Sequence, residues 1–153
     1  MTETVLLSRH LTADLIHLRA DMSSPKKLLQ TMAGLLSSAL DEPDERAVYQ
    51  CLIERERLGN TGIGNGIALP HSRCDLTDKA VVAIITLEDA INYDSLDNQP
   101  VSIAFGLLVP QEANQEHLQI LAEIARMMSN NDNKQQLLSA LNPQEVIDLI
   151  SGW

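Results

Sequence analysis

Positive charge is scarce in this chain: 11 Lys plus Arg stand against 21 Asp plus Glu, a formal net charge of −10, and no Lys- or Arg-rich run occurs. Nucleic acid is therefore not an expected partner, because binding a phosphate backbone requires a basic patch that displaces counterions. The same acidity favours solubility and steers the chain towards basic patches on other proteins, an effect that salt weakens. Cysteine is limited to Cys51 and Cys74, which points to a reducing cytoplasm. Cys51 falls in a helical pattern and reads as a small buried hydrophobe. Cys74 follows His71 by three residues, but His-x-x-Cys without a second compact ligand pair does not build a zinc site, so no metal is expected. No apolar run approaches membrane-spanning length and the N-terminus has no basic-then-apolar signal, so membrane insertion is not expected. Internal repeats are also missing, as are the Lys-Ser/Thr of a P-loop, the spacing of a dinucleotide fingerprint and Gly-x-Ser-x-Gly. ATP, NAD and serine-nucleophile chemistry are thereby disfavoured, and no cofactor is expected.

What is present reads as one domain over residues 1–153, long enough to bury about two-thirds of its unfolded surface. Residues 1–10 read as a loose start. Leu15 to Arg19 has strand character, with His17 at a strand surface. Ser24-Pro25 supplies a cap and a proline at the first helical position, followed by Leu28, Leu29, Met32, Leu35, Leu36 and Leu40 at helical spacing. Asp41-Glu-Pro43 breaks that helix, and a second one carries Ala47, Val48, Cys51 and Leu52 until Gly59 ends it. Residues 80–87 and 101–109 are nearly continuous apolar, β-rich runs, as in central strands of a sheet covered on both faces. The stretch between them is turn-rich, and its Asp94 and Asp97 read as solvated loop residues. Pro110 closes the second strand. Asn114 reads as the cap of a helix placing Leu118, Leu121, Ala122, Ala125 and Met128 on one face. Two short terminal helices follow, the last opened by Asn142-Pro-Gln-Glu145 in capping-box style. Helices alternate with strands throughout, so the class is α/β.

The chemistry converges on Gly62-Ile-Gly64-Asn-Gly66-Ile-Ala-Leu-Pro-His71. Glycines at alternate positions suggest positive φ or close approach of bare backbone to a guest. Arg55, Arg57 and Thr61 lie just upstream, so the expected guest is an anion, held by Thr61, Gly62, Gly64, Asn65 and Gly66. Arg55 at a helix C-terminus has two readings. It complements the helix dipole, or its fork points at the anion held by the turn that the helix feeds into. His117 falls in the first turn of its helix, where the partial positive end disfavours imidazolium and leaves a neutral ring able to hydrogen-bond a phosphoryl oxygen. A capping or surface role is the alternative for His117.

The run from Arg55 to His71 resembles the enzyme IIA proteins of the bacterial phosphotransferase system, fructose/mannitol class, and most closely their nitrogen-regulatory branch. Asp97-Asn-Gln-Pro-Val101, Leu107-Leu-Val-Pro110 and His117-Leu-Gln-Ile-Leu-Ala122 look like further landmarks of the same family. The resemblance implies a mixed sheet with helices on both sides. It implies that His71 accepts a phosphoryl group from the phosphohistidine of an HPr-type carrier, that His117 belongs to the active site and that Arg55 stabilises phosphoryl charge. It also implies regulatory targets such as transporters or sensor kinases. Sugar-specific members often carry Glu where this chain has Asn65, which favours the regulatory branch over a sugar-uptake component passing phosphate to a IIB protein. Ser72 stands where the family has glycine after the histidine. The Leu69-Pro70 neighbourhood is expected to supply apolar docking surface beside a shallow His71 depression.

Overall fold

Two strands, β5 (Val81–Ile91) and β6 (Val101–Pro110), form an antiparallel pair at the centre of the sheet. Their side chains alternate between two separate cores: Val82, Ile84, Ile103, Phe105, Leu107 and Val109 enter one, while Val81, Ala83, Ile85, Ala104 and Leu108 enter the other. Residues 81–87 of β5 and nearly all of β6 thus need an apolar cover on both faces, which is why these runs lack polar alternation. In the computed structural model, which describes residues 7–112 and 115–153, β1 (Ile16–Ala20) adds parallel to β5. On the other side, β3 (Ile67–Ala68) and β4 (His71–Cys74) both run parallel to β6, and β2 (Gly62–Gly64) pairs antiparallel with β3. The result is a mixed six-stranded sheet in the order β1-β5-β6-β3-β2, with β4 also on β6.

One face is covered by α1 (Pro25–Ser38) and α2 (Glu45–Leu58). The Lys27 N–H donates to Ser24 Oγ at 3.1 Å and Pro25 opens the helix, so α1 begins where cap and proline chemistry dictate. Its Leu28, Met32 and Leu36 are fully buried, each stabilising the fold by about 1.5–3 kcal/mol. The packing leaves no room for a side chain on β6 at Gly106, where an added Cβ would lie 2.2 Å from Met32 Sδ. The opposite face is covered by α3 (Gln115–Met128), α4 (Asn131–Ser139) and α5 (Pro143–Ser151). At the start of α5 the Glu145 N–H donates to Asn142 Oδ1 while Glu145 Oε2 accepts from the Leu141 N–H, the reciprocal capping expected there.

The mixed sheet with helices on both sides is borne out, and three local expectations are corrected. Residues 1–6 of the expected loose start, and Asn114, lie outside the described residues, but Leu7–His10 form a 3-10 turn with Leu7 fully buried. Leu15 ends a second such turn, Ala13–Leu15, and β1 starts one residue later. Helix α3 is rotated from its expected orientation: His117, Ile120, Ile124, Met127 and Met128 are buried, whereas Leu118 is 59% exposed and Ala122 and Ala125 face outward. The sheet chose the stripe of larger β-branched and thioether side chains, and that choice turned His117 inward.

Candidate functional site

Proline lacks an N–H and cannot continue a ladder. Pro70 therefore interrupts the edge of β6 between β3 and β4, while its carbonyl still accepts the Leu107 N–H at 3.0 Å. This break aims the next residue, His71, out of the sheet at the first position of β4, half-buried and with its Nδ1 2.6 Å from the Leu69 carbonyl oxygen. A carbonyl only accepts, so Nδ1 carries the proton and the lone pair resides on Nε2. Leu69 and Pro70 themselves are buried. The apolar docking surface expected of them is corrected: they serve as the rigid mount of the histidine.

His117, only 7% exposed, meets His71 edge-on, with ring centroids 5.9 Å apart and planes at 76°. Neither nitrogen of His117 has a hydrogen-bond partner among the described residues. A buried polar group left so costs about 1–3 kcal/mol, a cost that natural sites retain where the group serves a guest. Burial is the main cause holding both imidazoles below the ordinary value of 6.5; Arg55 adds to it at His71, and Arg73 and His71 add to it at His117. The Leu69 hydrogen bond and Glu56 work in the opposite direction at His71. The neutral His117 ring expected from its place at a helix start thus has burial as its largest cause.

Arg55 fills the first of its readings, and its charge acts on His71 rather than at the glycine turn. Its Nη1 donates to the Gly59 carbonyl at 2.9 Å, complementing the exposed C-terminal end of α2, and its charge reaches His71. Arg55, Leu58, His71, Arg73, Cys74 and His117 share the wall of an open cavity of ≈560 Å³. Leu58, 85% exposed, supplies an apolar rim. Arg57 is exposed on the same helix turn. Cys51 is half-buried, and burial above all pushes its thiol up to about 11, in keeping with a packing role for the residue.

The glycine turn lies elsewhere in the fold. Asn65 and Gly66 have φ of 56° and 81° between β2 and β3, the two positive values that a two-residue hairpin turn of the primed type requires and that Asn-Gly favours. Its tip borders a separate depression lined by Asp97, Pro100 and Lys134. The anion expected on its amides is there, but the chain supplies it. Asp97 Oδ2 accepts the Asn65 N–H at 2.9 Å, and these backbone bonds hold the Asp97 carboxyl below its ordinary value. Glu56 accepts from both the N–H and the hydroxyl of Thr61, and Asn60 Oδ1 accepts the Gly62 N–H at 2.7 Å. The donors of Thr61, Gly62 and Asn65, expected to hold phosphate together with Gly64 and Gly66, are instead engaged within the chain, in a tied hairpin that fixes the path from α2 to His71. Asp97, expected to be merely solvated, is one of its ties. Asn65 is another, donating through Nδ2 to the Met128 carbonyl at 2.8 Å and accepting from Lys134 Nζ at its own carbonyl at 2.7 Å. The Asn-Gly dipeptide between two short apolar stretches was a legible hairpin signal.

A pH dependence follows. A histidine whose folded pKa is depressed contributes stability that is complete above its unfolded value and lost as pH falls, because the unfolded chain takes up a proton that the folded chain refuses. Equilibrium urea unfolding should therefore show a lower midpoint at pH 5.5 than at pH 7.5. The difference should shrink in the His71→Gln/His117→Gln variant. An unchanged midpoint, or an undiminished loss in that variant, would place the acid sensitivity elsewhere. Asp97, held below 3.8, titrates outside this window.

Residues 9–153 match the family model described as "Phosphoenolpyruvate-dependent sugar phosphotransferase system, EIIA 2". The chain is 37% identical over 127 residues to the nitrogen regulatory protein of Pseudomonas aeruginosa, covering 83% of this chain and 82% of that protein. The crystal structure of nitrogen regulatory protein IIA-Ntr from Neisseria meningitidis superposes with a TM-score of 0.89 at 32% identity, covering 95% of this chain and 99% of that one. The fold is shared with mannitol IIA of Escherichia coli, solved in complex with phosphorylated enzyme IIB of the mannitol system, at a TM-score of 0.78 and 18% identity over 94% of this chain and 98% of that one.

Proposed function

Because the chain belongs to the EIIA 2 family of the phosphoenolpyruvate-dependent sugar phosphotransferase system, we propose that it is a phosphocarrier of the nitrogen-regulatory branch. It accepts a phosphoryl group on His71 from a phosphohistidine of an HPr-type carrier and regulates partner proteins by whether that group is present. The likeness to nitrogen regulatory proteins supports the branch. One observation carries the site: a histidine with its Nε2 lone pair free faces a buried histidine with both nitrogens unpartnered.

In the transfer step the Nε2 lone pair attacks phosphorus in line while the bond to the donor's histidine nitrogen breaks and its electrons return to that ring. Nδ1 keeps its proton on the Leu69 carbonyl. Arg55 and His117 face the spreading charge on the equatorial oxygens, and positioning with electrostatics supplies most of the catalysis. Because burial and Arg55 hold His71 below its ordinary value, the nucleophile stays neutral through pH 7. Gain of a dianion at the cavity changes the charge of the face that partners such as transporters or sensor kinases would read.

The test is to charge the chain with an HPr-type carrier, enzyme I and phosphoenolpyruvate and map the modified residue by mass spectrometry at alkaline pH. A single phosphohistidine at His71, absent from His71→Ala, is expected. Equal labelling of that variant would remove His71 as acceptor. Incubating the charged protein with sugar-specific IIB proteins separates the branches, since efficient onward transfer would favour a sugar-uptake component.

A further inference from the structure

We propose that Arg73 is a second phosphoryl-directed cation, closing the cradle on the His117 side as Arg55 closes it on the α2 side. This assignment rests on the reading of His71 as acceptor and adds a residue to that site.

Along β4 side chains alternate, so His71 and Arg73 leave the strand on the same side, about 7 Å apart at their backbones. Both line the cavity into which His117 also faces. The two arginines act on different rings: the charge of Arg55 bears on His71, and that of Arg73 bears on His117. A phosphoryl group on His71 Nε2, drawn towards the unpartnered nitrogens of His117, therefore lies between two guanidinium groups approaching from different elements. Arg73 is free to take part. Its side chain is exposed, and its one hydrogen bond among the described residues, from Nη1 to the Gln111 carbonyl, is at the 3.5 Å limit. The rest of the fork remains available for phosphoryl oxygens, a geometry that guanidinium suits better than ammonium. In a chain of net charge −10, a second cation at the cavity also offsets the field that opposes an arriving dianion.

Phosphoramidate tests this without any protein donor. The His71 Nε2 lone pair forms the new N–P bond while the donor's P–N bond breaks and its electrons leave on ammonia. Full-length wild type, Arg73→Ala, Arg73→Lys and His71→Ala are incubated with it, and phosphohistidine formation is followed by phosphorus NMR at low and moderate salt. Arg73→Ala should be labelled about three- to tenfold more slowly than wild type, the size of one charge-assisted contact at a screened site, with a weaker salt dependence. Arg73→Lys, keeping the charge but not the fork, should recover part of the rate. In the same samples the His117 ring resonances of Arg73→Ala should titrate at higher pH than in wild type while the rest of the spectrum is unchanged, a shift that a merely structural role would not produce. Labelling of Arg73→Ala at the wild-type rate with His71 chemistry intact overturns this proposal alone. Labelling of His71→Ala at the wild-type rate overturns the acceptor assignment and this proposal together.

Discussion

His117→Ala should slow phosphoryl transfer to His71 by about 10²- to 10³-fold, the loss typical of removing one preorganised donor aimed at developing charge. The expectation rests on two facts about the ring. It is buried against His71 at 5.9 Å, and both its nitrogens lack any partner among the described residues. A structural histidine on the inner face of α3 would have its polar atoms satisfied; this one is oriented by packing alone. Truncation loses buried packing but also removes two unsatisfied buried nitrogens, which offsets part of that loss, so thermal stability should change less than rate. His117→Gln, which can still donate a hydrogen bond, should recover part of the loss. Rapid-quench transfer from a labelled HPr-type carrier measures the rate. A His117→Ala variant within a few-fold of wild type would show that the ring is a packing residue after all.

Adding a single methyl at Gly106 should destabilise the core. The new Cβ would stand 2.2 Å from Met32 Sδ and 2.6 Å from its Cγ. Both lie where β6 and α1 press together, and neither the central strand nor the capped helix can withdraw cheaply. Overpacking of this kind costs about 1–3 kcal/mol, a large share of the stability of an ordinary domain. Met32→Ala, which leaves a cavity, costs about 2–5 kcal/mol by itself. In Gly106→Ala/Met32→Ala the methyl enters the vacated volume, so the double variant should lose clearly less than the sum of the singles. Urea unfolding of the four proteins checks this. Strict additivity would mean that the contact is relieved by some other movement.

Sequence made the sheet and its covering legible because the constraints there are local and repeated. The β5 and β6 runs admit one reading, and Ser24-Pro25 and Asn142-Pro-Gln-Glu145 carry their own capping chemistry. Legibility failed where distant partners decide. Helix α3 carries two overlapping apolar stripes, one through Leu118, Ala122 and Ala125 and one through Ile120, Ile124 and Met127, and only the sheet beneath selects between them. At the glycine turn the partner of the Asn65 amide is the carboxylate of Asp97, which lies 32 residues away and cannot be read from local spacing. Arg73 is not legible in the sequence because its relevance comes from strand alternation and the shared cavity, both of which depend on β4 beginning at His71. Asn65 has a physical part beyond marking a branch. Its Nδ2 donates to the last carbonyl of α3, a bond that a glutamate at this position could not make.

The carbonyl of Leu69 has a further consequence for the charged form. Once Nε2 bears phosphorus, the proton retained on Nδ1 makes the ring a cation, and an imidazolium nitrogen is a better leaving group than an imidazole one. The hydrogen bond that selects the attacking nitrogen therefore also keeps the new bond weak. In the proposed phosphocarrier, His71 holds its cargo at high transfer potential, ready to surrender it to the next nucleophile, rather than as a settled ester.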